Sequence, residues 1–147
     1  ELDNTVTSGL LTGGITHHVA FVRSVDNGGN VTGRWYVDGE PGAVTTLESA
    51  KAFELTSLPI YLGSQAGSTL FLNGFIDELR ISSASMYGDA AFTPGVIEET
   101  PETLGLYRFD IGAGAWAYPE LWGALPPMKL EGVTYAPAGA TAVGPCP

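Results

Sequence analysis

Basic residues are scarce in this chain: 6 lysines and arginines stand against 16 aspartates and glutamates, for a net charge of −10. Such a surface offers no counter-charge to a phosphate backbone or an anionic bilayer, so nucleic acid is excluded as an expected partner. Calcium and neutral sugars stay compatible with that charge. Cysteine is nearly absent. The single Cys146, in the terminal Gly144-Pro145-Cys146-Pro147, cannot close an internal disulfide; it either pairs with another chain or stays a free thiol. No apolar run reaches the roughly 18 residues a spanning helix needs, so membrane insertion is not expected. Helix signals are thin too, since Leu47 to Leu55 has mild helical spacing but no cap and little length. The chain opens at Glu1 and not at methionine, which reads as a processed chain or a fragment.

What is present points to strands. With 147 residues, 44% hydrophobic and 15% charged, the composition is globular and sufficient for one core. The 20 glycines and 10 prolines fall between short apolar runs, a pattern of strands joined by turns. His17 to Val25 and Val31 to Asp38 form the clearest pair, joined by Asp26-Asn27-Gly28-Gly29-Asn30, where asparagine and glycine accept positive φ. Shorter strands are expected at 43–46, 58–63, 104–109 and within 128–135. The stretch Val96 to Pro101, with Glu98, Glu99 and the nearby Glu102, is acidic and reads as a linker crossing the surface, and 115–127 shows no period. The fold class predicted is all-β, a sandwich or jelly roll.

The segment Leu72-Asn73-Gly74-Phe75-Ile76-Asp77-Glu78-Leu79-Arg80-Ile81-Ser82 is the most informative. Read as one strand, it places Phe75, Asp77, Leu79 and Ile81 on one face and Ile76, Glu78 and Arg80 on the other. If the first face meets a core, Asp77 lies where water is scarce and needs a cation or several donors. Gly74 interrupts the alternation, so a bulge or bend is expected there.

Four motifs in order carry a family resemblance: His17-His18-Val19-Ala20-Phe21-Val22-Arg23, Trp35-Tyr36-Val37-Asp38-Gly39, Ile60-Tyr61-Leu62-Gly63, and Phe75-Ile76-Asp77-Glu78-Leu79-Arg80-Ile81. Together they closely resemble the laminin G-like, concanavalin A-like lectin–glucanase jelly-roll family. One departure is Thr16, where that family usually carries tryptophan. The resemblance implies an antiparallel jelly-roll sandwich, incomplete or permuted here, because the strands that usually precede Thr16 are lacking. A domain over 1–136 is expected, with core motifs at 17–82 and added strands at 103–136, followed by a proline- and glycine-rich tail or linker at 137–147. In this fold the first and last strands are neighbours, so Leu104 to Phe109 is expected beside the 75–82 strand. The alternative, that it opens a following module, would leave an apolar edge unpaired.

The chemistry follows from these placements. Asp77 is the candidate metal ligand, for a structural calcium, which takes hard oxygen donors; the competing reading holds it by backbone N–H groups or by Arg23 or Arg108. Glu78 and Arg80 read as a surface ion pair with a neighbouring strand. Asp77 and Glu78 point to opposite faces and cannot flank one glycosidic bond, and the Glu-x-Asp-x-Glu strand of similar glucanases has no counterpart here. His17 and His18 point apart and cannot chelate one ion together. No nucleophile context occurs, so no enzyme is expected. Trp116, Tyr118 and Trp122 are the candidate ligand-binding residues, since flat aromatics on loops stack on sugar rings; the competing reading has them cover a core or an interface. Asn30-Val31-Thr32 is a glycosylation sequon. The expected function is a non-catalytic binding module, extracellular or at the cell surface, recognising glycan or protein through its loops. The alternative is a structural or assembly domain packed against neighbouring subunits.

Overall fold

The computed structural model describes residues 11–47, 60–65, 68–110, 114–120 and 125–132. Its strands are β1 (Val19–Val25), β2 (Val31–Val37), β3 (Glu40–Pro41), β4 (Thr45–Leu47), β5 (Leu79–Ser82), β6 (Thr103–Tyr107), β7 (Trp116–Ala117) and β8 (Met128–Lys129). Every pairing is antiparallel, and no helix occurs among the described residues. The fold class is all-β, as the turn-punctuated apolar runs predict. The chain divides into two compact units. One takes the described residues of Glu1–Ala52 and Ala84–Val96; the other takes those of Phe53–Ser83 and Ile97–Ala140.

The first unit is built on β2. It pairs with β1 along its whole length, from Val19↔Val37 to Val25↔Val31. Its far edge is shared by β3 at Tyr36 and Val37 and by β4 at 31–33. The connection from β1 is the expected turn: Asp26 N–H donates to Asn30 O at 2.9 Å, and Gly29 takes φ 81°. The connection from β2 to β3 is a two-residue turn with Asp38 at φ 52° and Gly39 at φ 84°. Two successive positive φ values define the turn whose twist matches a hairpin, which is why Asp-Gly occupies it. Because side chains alternate, one face of the pair carries Phe21 and Trp35, 4.8 Å apart between ring centroids. The other carries Ser24 and Thr32, whose hydroxyls meet at 2.9 Å, with Arg34 and Tyr36 further along.

In the second unit β5 pairs with β6, Leu79↔Tyr107, Arg80↔Leu106 and Ile81↔Gly105, as expected for the strands at 75–82 and 104–109. A bulge falls at Ile81/Ser82 and not at Gly74. Leu106 and Tyr107 are the largest fully buried side chains, and the Tyr107 hydroxyl donates to Pro126 O at 2.8 Å. Burial raises the Tyr107 pKa.

Two expectations are corrected, and the stretch read as without a period proves to hold a strand. The 72–82 segment is a strand only from Leu79, because its partner stops at Tyr107 and Phe109, at φ 55°, turns that chain away. Among the described residues no strand pairs with the segment upstream of Leu79, so nothing there enforces the two-faced alternation. Of the strand expected at 58–63, the described residues 60–63 are not in a strand. The stretch 115–127 holds a short strand, β7, which pairs with β8 at Trp116↔Lys129 and Ala117↔Met128. Of the mild helical spacing from Leu47 to Leu55, Leu47 ends β4; the rest of that stretch, Cys146 and the 137–147 tail lie outside the described residues.

Candidate functional site

In the first unit the loop at 84–92 lies across the Tyr36 face of the sheet. Tyr36 Oη donates to Gly88 O at 2.8 Å. Tyr87 stacks on Phe92 at 4.1 Å and 8°, and His18 meets both rings edge-on. The Tyr87 hydroxyl lies 3.2 Å from His18 Nε2. These aromatics cover one end of the face and leave the other open. The result is a groove of about 380 Å³, with Val22, Ser24, Thr32 and Arg34 from the strands and Tyr87 and Asp89 from the loop among its lining residues. Arg34 Nη1 donates to Asp89 Oδ1 at 2.9 Å, and the Asp89 side chain is 99% exposed against 18% for Arg34.

Asp26 also lines the groove, but its carboxylate is taken up by the hairpin turn. Oδ1 accepts from Gly28 N and Asn30 N, each at 2.8 Å, and Oδ2 from Asn30 Nδ2 at 3.0 Å. The side-chain and backbone hydrogen bonds from Asn30 lead in lowering its pKa.

His17 and His18, adjacent in sequence, serve different partners. His17 Nδ1 lies 2.7 Å from Asp38 Oδ2, while Asp38 Oδ1 accepts the His18 backbone N–H at 2.9 Å. The Asp38 hydrogen bond leads in raising the His17 pKa. Desolvation pushes Asp38 upward, but the donors from His17 and His18 outweigh it and the carboxyl is lowered.

The second unit has a smaller concavity of about 190 Å³, bounded by Arg108, Phe109, Asp110, Tyr118 and Glu120 among others. Arg108 is gripped from two sides: Nη1 donates to Glu78 Oε1, and Nε to Glu120 Oε2 at 3.3 Å. The Glu78 hydrogen bond leads in raising the Arg108 pKa. The ion pair expected of Glu78 with a neighbouring strand is therefore present. Arg80 donates to the Glu98 carbonyl at 3.0 Å and ties down the acidic segment.

The residues singled out from the sequence are scattered. Asp77 is exposed, as is Phe75 at 78%, so the argument for a buried charge there does not hold. Among the described residues no group of three or more His, Cys, Asp or Glu is arranged to hold a metal. Arg108 goes to Glu78 and Glu120. Trp116 and Tyr118 are each 44% exposed, with the intervening Ala117 buried, and Tyr118 borders the smaller concavity. Trp122 lies outside the described residues. Sequence reasoning missed Arg34, Tyr87 and Asp89. Arg34 and Asp89 are 55 positions apart, and no local spacing announces a loop that folds back over a sheet. The one available signal was Arg34 itself, a cation on a strand otherwise rich in apolar and aromatic residues.

A family profile described as the concanavalin A-like lectin/glucanases superfamily matches residues 2–89, more than half of the chain. That span includes every residue lining the larger groove. No curated protein and no solved structure matches the chain.

Proposed function

We propose that this chain, which belongs to the concanavalin A-like lectin/glucanases superfamily, is a non-catalytic, extracellular binding module that recognises a glycan in the groove of its first unit. The observation that carries this reading is the groove's lining. It combines paired hydroxyls at Ser24 and Thr32, an arginine, and the ring of Tyr87 in one open concavity of about 380 Å³. Apolar ring faces with a few convergent polar groups are what a sugar ring uses. The carboxylates do not favour hydrolysis. Asp26 is engaged in its turn, and Glu78 and Glu120 are both engaged by Arg108. Tyr118, with Trp116 beside it, offers a second stacking surface at the smaller concavity.

A glycan array probed with the whole chain tests the proposal. Retention of a saccharide by the parent chain, and its loss in Tyr87→Ala, supports it. An empty array contradicts it.

A second reading, an assembly domain packed against neighbouring subunits or a protein ligand, draws on a different observation. Val19, Phe21 and Val25 are exposed apolar residues on one face of β1, with Arg23 between the last two, and Phe71 and Phe75 are exposed in the second unit. Concentration-dependent sedimentation together with an empty glycan array would favour it. Calcium is a separate question: with Asp77 exposed and no cluster of metal ligands among the described residues, adding chelator is expected to leave the thermal midpoint unchanged, and a fall of several degrees would restore the metal.

A further inference from the structure

We propose that the groove takes an acidic glycan, and that Arg34 receives its carboxylate in exchange for Asp89. This rests on reading the groove as a glycan site and adds the chemical class of the sugar. Arg34 is the only cation among the described residues that line the groove. It projects from the central strand, opposite Val22, on the same face as Thr32 and Tyr36. Its ion-pair partner is lopsided: Asp89 is 99% exposed and sits on the loop, whereas Arg34 is 18% exposed. An ion pair with so exposed a carboxylate is weak and readily exchanged.

The contact is also incomplete. Asp89 engages Arg34 through one Nη1 to Oδ1 hydrogen bond of 2.9 Å, although a guanidinium can grip a carboxylate with two parallel N–H donors. A ligand carboxylate seated in the groove can make the fork that Asp89 does not make. Asp89 then acts as a resident stand-in for the ligand's acid group. The other carboxylate at the groove, Asp26, does not cancel this attraction, because both of its oxygens accept hydrogen bonds from the Gly28–Asn30 turn. The net charge of −10 opposes approach from a distance, but screening over roughly 8 Å at physiological salt leaves the contact itself to Arg34. A sugar is favoured over an acidic peptide by the Ser24 and Thr32 hydroxyls, 2.9 Å apart, and by the Tyr87 ring at the groove wall.

The test is calorimetric titration of the whole chain, in calcium-free buffer, with tetragalacturonate and with its methyl ester, which removes the charge and keeps the sugar. The parent chain is expected to prefer the acid by about tenfold, as a charge-assisted fork should give. Asp89→Asn should widen that ratio by about threefold or more, and Arg34→Gln should bring it to about one. Asp89 is on the surface, so its variant tests the idea even if Arg34→Gln fails to fold. Equal binding of acid and ester, or a ratio unmoved in Asp89→Asn, overturns the inference while the groove reading stands. Binding of neither overturns both. Arg34-dependent binding of tetraglutamate in preference to the sugar acid overturns the assignment to a glycan.

Discussion

At Asp38 one carboxylate closes the loop between the start of β1 and the end of β2. It holds the His17 ring and the His18 amide, 21 and 20 positions earlier respectively. The pH consequences have opposite signs. His17 has its pKa raised above the ordinary 6.5, so its contribution is complete below that value and is lost as pH rises through the raised one. Asp38 is lowered below the ordinary 3.8, so its contribution is present above that value and disappears as pH falls through the lowered one. Stability from this contact should be greatest between those two ordinary values. Thermal melts across pH 5 to 8 should show a decline on the alkaline side that His17→Gln abolishes; identical profiles would remove His17 from the account. The neighbouring Gly39 is a second sensitive point. It is buried at φ 84°, and a Cβ there would overlap the Phe92 carbonyl oxygen, while Phe92 N donates to Gly39 O at 3.1 Å. Gly39→Ala is expected to cost about 3 kcal/mol or more in urea unfolding, from left-handed strain plus the clash.

Among the elements, those with local instructions were legible. The β1–β2 hairpin follows from apolar runs and an Asp-Asn-Gly-Gly-Asn turn, and it pairs from Val19↔Val37 to Val25↔Val31. The β5–β6 pairing came from the family's strand order and not from any local signal. The start of β5 was misplaced for a physical reason: alternation in a sequence becomes two-sidedness only where a neighbouring strand pairs with it, and Phe109 ends that neighbour. Asp77 fell on the wrong side of this boundary, which is why it emerged exposed. Glu78, one residue later, lies beside Arg108 because Leu79 pairs with Tyr107. Glu78→Gln should cost about 1–2 kcal/mol, the difference between a charge-assisted and a neutral hydrogen bond at a half-buried position. A double-mutant cycle with Arg108→Met checks it, and a coupling energy near zero would contradict it. Leu106→Ala, at a fully buried position, should cost about 2–5 kcal/mol by loss of contacts and the cavity left behind.

For the whole molecule, family membership was readable because four short motifs recur in a fixed order, and the matched span of 2–89 includes the first three in full and the fourth as well. The groove was not readable. Its walls come from β1, β2 and the 84–92 loop, and only the fold brings Tyr36 to Gly88, 52 positions away. Aromatic richness drew attention to 116–122 instead, where Trp116 and Tyr118 do present exposed rings, but the larger and more polar concavity lies in the family-matched part. The central claim is that this groove binds a saccharide, and the most direct measurement is a ¹H–¹⁵N spectrum of the whole chain recorded during titration with the best-retained glycan of an array. The account predicts saturable shifts concentrated at the amides of Ser24, Thr32, Gly33, Arg34 and 85–89. Shifts confined to other residues, or none at saturating sugar, would contradict it.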